Sequence, residues 1–162
     1  MPRPERILLL RSGRHLQVAL AALRAHAPGC AIAVVGTPGT ERSIEQAGVP
    51  AGDLFIFSAR PRFSPAAFVL SGTAQAVRGW GFTRVAVLWN DPDGAGQGNV
   101  DRTAFALAPR GFLAIAPDGR LIARRLAPQV WHEARRAMAS LVTAAMLGAL
   151  FLPAWLLPSR RR

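Results

Sequence analysis

The sequence predicts an α/β protein: a doubly wound, mainly parallel five-stranded sheet followed by a C-terminal hydrophobic helix. Three observations carry this expectation. Short apolar runs recur that are continuous rather than alternating, as in strands buried on both faces of a parallel sheet. Between them lie segments whose apolar residues repeat at helical spacing. Finally, the run from Ala137 to Ser159 contains no charged residue and is followed by Arg160, Arg161 and Arg162.

The elements follow in order. Arg6 to Arg11 is the first strand, and Ser12 and Gly13 punctuate it. Leu16, Ala19, Leu20 and Leu23 then mark a helix that Pro28 and Gly29 stop. Ala31 to Val35 is a second buried strand, Gly36 to Gly39 a turn, and Thr40 to Ala47 a short helix that Thr40 can cap. Leu54 to Phe57 is a third strand, and Pro65 to Arg78 a helix broken by Gly79 and Gly81. Arg84 to Trp89 is the fourth strand, Asn90 to Gly98 a loop, Val100 to Leu107 a helix, and Phe112 to Ala116 the fifth strand. This alternation implies right-handed crossovers and a sheet covered on both faces, a Rossmann-like domain over residues 1–125. Pro117, Asp118 and Gly119 signal a turn, after which Arg120 to Arg125 is either a final edge strand or a linker.

The remainder reads as a membrane foot. Residues 126–136 mix Val130 and Trp131 with His132, Glu133, Arg135 and Arg136, as in a basic juxtamembrane helix. Residues 137–159 are long enough to cross a bilayer, since roughly 20 apolar residues span a hydrocarbon core of about 30 Å. A re-entrant segment and a soluble helix buried against the sheet or a partner are the competing readings. Pro153 and Pro158 kink or end a helix in its last third. Length, charge exclusion, Trp131 and Trp155 near the boundaries, and the Arg tail at 160–162 favour the transmembrane or membrane-inserted helix. The lipid bilayer is therefore an expected partner. With arginines on both flanks, orientation rests on the amino terminus, where Ile7 to Leu10 is too short for a signal peptide. That expectation places the globular domain on the cytoplasmic side of a bacterial-type inner membrane.

Composition narrows the classes further. The chain has 162 residues and a net charge of +11, and its 20 cationic residues are all arginine. Absence of Lys and Tyr alongside abundant Ala, Gly and Pro reads as a codon-level bias. A nucleic-acid surface is discounted, because the arginines are mostly single and do not interleave with aromatics. Cys30 is the sole cysteine, so neither an intrachain disulfide nor a thiolate metal cluster can form.

Candidate chemistry sits where doubly wound sheets bind ligands, beyond the carboxyl ends of the strands at the reversal of strand order. The loops after the first and fourth strands are expected to face each other there. The first offers Ser12, Gly13, Arg14 and His15, backbone N–H groups at a helix start plus a cation, suited to phosphate or another anion. A plain turn with a solvated Arg14 is the duller alternative. Asn90, Asp91 and Asp93 form the opposite wall. Asp91, Asp93, Asn99 and Asp101 are oxygen ligands of the kind a hard cation wants, but Gly94 and Arg102 break the EF-hand spacing. A polar loop with Asp91 or Asp93 in turn hydrogen bonds and Asn99 capping the next helix is preferred, so no metal is expected. Neither G-x-G-x-x-G nor a P-loop is present, and no cofactor is indicated. No catalytic residue can be assigned; His15 is the one weak candidate acid or base. His26 is expected near the end of the first helix, and Cys30 in the core.

The stretch R-I-L-L-L-R-S-G with L-Q-V-A-L-A-A-L-R-A-H-A-P-G-C-A-I-A-V-V-G, and later R-V-A-V-L-W and A-F-A-L-A-P-R-G-F-L-A-I-A-P-D-G, resembles glycosyltransferase family 9, the heptosyltransferase-like proteins, over about Arg6 to Arg120. The resemblance implies the amino-terminal, acceptor-side half of a GT-B-type sugar transferase. Two departures bear on activity. The family's first loop usually carries a Leu-Gly-Asp element with the proposed base, whereas this chain has Ser12-Gly13-Arg14-His15. The donor-binding half is replaced by the hydrophobic foot. Transfer needs both halves to position donor and acceptor. The resemblance therefore implies a membrane-anchored, non-autonomous binding or partner subunit in cell-envelope glycan or glycolipid synthesis, with a sugar-phosphate or glycolipid ligand and a donor-domain protein as possible partners. The alternatives are a glycosyltransferase completed by a partner or homodimer, with His15 replacing the base, and a membrane-tethered interaction module with no ligand.

Overall fold

The first apolar run forms β1 (Arg6–Arg11), and its centre explains why the run is unbroken. Leu8 and Leu10 face one core cluster while Ile7 and Leu9 face another. None of the four is more than 1% exposed, and burying each contributes about 1.5–3 kcal/mol. The computed structural model describes residues 5–11, 14–58 and 64–125. The chain divides into two compact units, Met1–Arg125 and Leu126–Arg162, and the described residues all belong to the first. The expected juxtamembrane helix, membrane helix and Arg tail lie outside the described residues. Among the described residues no helix is long and apolar enough to cross a membrane.

The remaining strands are β2 (Ala31–Gly36), β3 (Leu54–Ile56), β4 (Arg84–Leu88), β5 (Phe112–Ile115) and β6 (Leu121–Arg124). They form one six-stranded sheet in the order β3-β2-β1-β4-β5-β6. All neighbours are parallel except β5 and β6, which pair antiparallel with Phe112 opposite Arg124. Helices α1 (Leu16–His26) and α2 (Glu41–Gln46) bring Leu16, Ala19, Leu20, Leu23 and Ile44 onto the cluster that holds Ile7 and Leu9. Helices α3 (Pro65–Val69), α4 (Gly72–Trp80) and α5 (Gly98–Leu107) cover the opposite cluster with Phe68, Ala74, Val77, Val100, Ala104 and Phe105. Helices on both faces of a mostly parallel sheet make the arrangement doubly wound.

Several expectations are corrected. The sheet has six strands, not five: Leu121–Arg124 pairs with β5 rather than running off as a linker. The turn at 117–119 makes this possible, because the Asp118 carboxylate accepts from the Arg120 amide at 3.0 Å and Ala116 bonds back to Arg120. The single helix expected over Pro65 to Arg78 is two. Ser71 interrupts it in extended backbone, its Oγ accepting from the Ala74 amide at 3.2 Å and donating to the Phe68 carbonyl at 2.6 Å. The break lets Phe68 and the pair Ala74 and Val77 all reach one core. Gly79 does not end the helix; the left-handed Gly81 does. Thr40 stands at the start of α2 without capping it through its side chain, because its Oγ1 donates to the Thr37 carbonyl at 2.7 Å instead. Asn99 does not cap α5 either; Gln97 holds that position and Asn99 lies in the first turn. Cys30 is half-buried rather than in the core, and burial pushes its thiol up from the ordinary range, with Glu5 adding to the effect. His26 does close α1, with its Nε2 3.3 Å from Arg84 Nη1.

Candidate ligand site at the carboxyl edge of the sheet

Strand order reverses between β1 and β4, which pair directly with Arg11 opposite Leu88. The loops that follow these strands therefore leave from neighbouring strand ends at the carboxyl edge. That juxtaposition is the one doubly wound folds use for ligands.

On the β1 side, Ser12 and Gly13 lie outside the described residues. Arg14 and His15 are exposed. His15 occupies the cap position of α1 with φ −90° and ψ 49°, and its ring makes no capping hydrogen bond. Among the described residues no side chain caps the first turn of α1, and its amides and the Arg14 guanidinium present positive potential to an incoming anion.

On the β4 side the loop is built on Trp89, which is 2% exposed. The backbone of Trp89 still bonds to β5, its amide donating to the Ile115 carbonyl at 2.9 Å. Its indole N–H donates 3.0 Å to Asp101 Oδ1 in the first turn of α5. Gly94, at φ +72°, approaches the indole so closely that a Cβ there would stand 2.8 Å from three ring atoms. Asp91 ties the loop together: its Oδ1 accepts from the Asp93 amide at 3.0 Å and its carbonyl from the Gly94 amide at 3.1 Å. The Gly94 carbonyl in turn accepts from Gln97, the buried cap residue of α5, at 3.2 Å. Asn90 and Asp93 are exposed and Asp91 half-buried.

Burial pushes the Asp101 carboxyl above the ordinary range, with the Trp89 N–H and the Arg124 charge acting in the other direction. Arg124 reaches across from β6 to lie 5.6 Å from the Trp89 ring. The four oxygen residues that could have held a hard cation are thus divided. Asp101 is turned into the core, Asp91 closes its own turn, and among the described residues no group of three or more His, Cys, Asp or Glu could hold a metal ion.

Trp89, Asp101 and Arg124 were not legible as a group from spacing. An aromatic ending an apolar run and an aspartate in a helical first turn both have ordinary roles, and only the antiparallel return of β6 brings Arg124 to them. No protein-family model, no curated protein and no solved structure matches the chain.

Proposed function

We propose that this domain binds a phosphate-bearing, hydroxyl-rich ligand, of the sugar-phosphate or glycolipid class, between the loops after β1 and β4. In this reading it is the glycosyltransferase-like, non-autonomous binding or partner subunit of envelope glycan or glycolipid synthesis, held at the membrane through residues 137–159. The supporting observation is the reversal of strand order between β1 and β4. It brings two chemically opposite loops to one edge, with cationic Arg14 and the amides that begin α1 on one side and the acceptors Asn90, Asp91 and Asp93 on the other. A phosphate suits the first wall. Sugar hydroxyls, which donate hydrogen bonds, suit carboxylates on the second.

The experiment is titration of the full chain with sugar phosphates and short-chain glycolipid phosphates, comparing wild type with Arg14→Ala combined with Asp91→Asn. Binding that falls at least about tenfold supports the reading. Unchanged binding, together with unchanged envelope composition in cells carrying the variant, removes it.

One observation favours the alternative of a transferase completed by a partner: the His15 ring is exposed and uncommitted to capping, so it is open to proton transfer. In that case His15→Ala abolishes turnover in the presence of the partner while leaving ligand affinity in place.

A further inference from the structure

An open cavity of about 730 Å³ lies at the opposite, amino edge of the sheet. It is formed where β4 and β5 begin and the antiparallel β6 ends. Phe82, Val85, Leu107 and Phe112 contribute apolar wall, and Arg84, Arg110, Arg124 and Arg125 contribute cations. Among the described residues that line it there is no carboxylate.

The four arginines are not equivalent. Arg84 is held by Glu5, Nε to Oε1 at 2.7 Å, and Arg124 lies over Trp89. Arg110 and Arg125 are exposed, and no ion pair engages them among the described residues. Gly111 brings their backbones together. At φ +134° it presses the 109–111 turn onto the end of β6, where a Cβ would collide with the Arg124 carbonyl oxygen and lie 3.5 Å from Arg125 Cα. Arg110 and Arg125 therefore leave the backbone on either side of one point of close contact, at the rim of a partly apolar cavity. A volume of this size accommodates a small organic ligand, and guanidiniums bind phosphate through paired N–H donors.

We infer that this cavity binds a phosphate ester carrying an apolar group, the phosphate held by Arg110 and Arg125 and the apolar part against Phe82, Leu107 and Phe112. The site is separate from the carboxyl-edge loops and stands or falls independently of them.

The test titrates the full chain, in neutral dodecyl maltoside, with monomeric dihexanoyl phosphatidic acid, hexyl phosphate, inorganic phosphate and dihexanoyl phosphatidylcholine. The first represents a phospholipid source and the second a soluble ester. At least one of these two is expected to bind about tenfold or more tighter than inorganic phosphate and phosphatidylcholine. Tight binding of phosphatidic acid alone assigns a lipid, and tight binding of hexyl phosphate assigns a soluble ester as well. Arg110→Ala with Arg125→Ala is expected to remove that preference. Ala123→Trp, an exposed β6 position lining the cavity, is expected to block it by bulk while leaving every charge in place. Arg42→Ala, an exposed α2 position that lines neither site, removes a cation and is expected to change nothing. Equal affinity for inorganic phosphate, or variants that circular dichroism finds folded and that bind as wild type, overturns the inference.

Discussion

Trp89 donates its indole N–H to the carboxylate of Asp101 at 3.0 Å, and both residues are buried, at 2% and 4% exposure. This bond joins the end of β4 to the first turn of α5, so it fixes both ends of the loop that carries Asn90, Asp91 and Asp93. Trp89→Phe keeps most of the packing but leaves the Asp101 carboxyl without that donor. A buried polar group so abandoned costs about 1–3 kcal/mol. Urea unfolding of the variant is expected to register a loss in that range, and a loss under about 0.5 kcal/mol refutes the role given to the bond.

The same carboxyl carries a pH signature. Its native pKa is raised above the ordinary value of 3.8, burial being the largest cause. The native state then holds the proton more tightly than the unfolded chain. The associated stability is full below the unfolded value and is lost as pH rises through the native one. Asp101→Asn removes the titration while keeping an oxygen for the indole. The stability of wild type relative to Asp101→Asn is therefore expected to be greater near pH 4 than near pH 7. A difference that stays constant over that interval contradicts the assignment.

Gly94 and Gly96 provide a matched comparison. Both have positive φ, +72° and +76°, but a Cβ on Gly94 meets the Trp89 ring whereas one on Gly96 meets open space. Gly96→Ala should cost only the left-handed penalty of about 1–2 kcal/mol. Gly94→Ala adds overpacking of roughly 1–3 kcal/mol against a buried aromatic. The excess of the Gly94 variant over the Gly96 variant in urea unfolding measures the contact itself, and equal losses would mean that the loop does not rest on Trp89.

The sheet was legible in the sequence where burial on both faces writes a continuous apolar run. Ile7, Leu8, Leu9 and Leu10 are the plainest instance, and β1 begins and ends at the expected residues. Ends were less legible where pairing decides them: Phe57 and Trp89 continue the apolar pattern but project beyond the ladder into the core. Ser71 sat inside a helical pattern, and its capping role depends on Phe68 and Ala74 sharing one core, a tertiary condition. For the candidate site, the adjacency of the carboxyl ends of β1 and β4 followed from the common strand order, which the sheet adopts. The amino-edge cavity had no such signal. The parallel pairing of β4 and β5 brings Arg84 and Arg110 to one edge, and the antiparallel return of β6 adds Arg125.

At the amino edge, Trp80 is engaged twice. Its indole N–H donates to Asp53 Oδ1 at 2.7 Å, and the Arg6 guanidinium lies 4.2 Å from its ring. These contacts tie α4 to the turn before β3 and to β1. Trp80→Phe retains a ring but loses the hydrogen bond, at about 0.5–1.5 kcal/mol. A double-mutant cycle with Arg6→Ala and Trp80→Leu is expected to give a coupling of about 0.5–1 kcal/mol for the cation and ring. Strictly additive losses would assign both residues to independent packing.

Asp91 demands care as a test of ligand binding, because it has two roles that one substitution confounds. Its Oδ1 accepts from the Asp93 amide at 3.0 Å and so shapes the loop, while its half-buried carboxylate belongs to the edge where a ligand is proposed. Asp91→Ala removes both and is expected to cost about 1 kcal/mol of stability from the lost turn bond alone. Asp91→Asn keeps the acceptor and removes only the charge, so its stability should remain within about 0.5 kcal/mol of wild type. The two variants then separate the roles in a sugar-phosphate titration. Weakened binding in both, with stability intact in Asp91→Asn, means that the carboxylate charge receives the ligand's hydroxyls. Weakened binding in Asp91→Ala alone means that the residue acts by holding the loop, and the polar wall must then be assigned to Asn90 and Asp93.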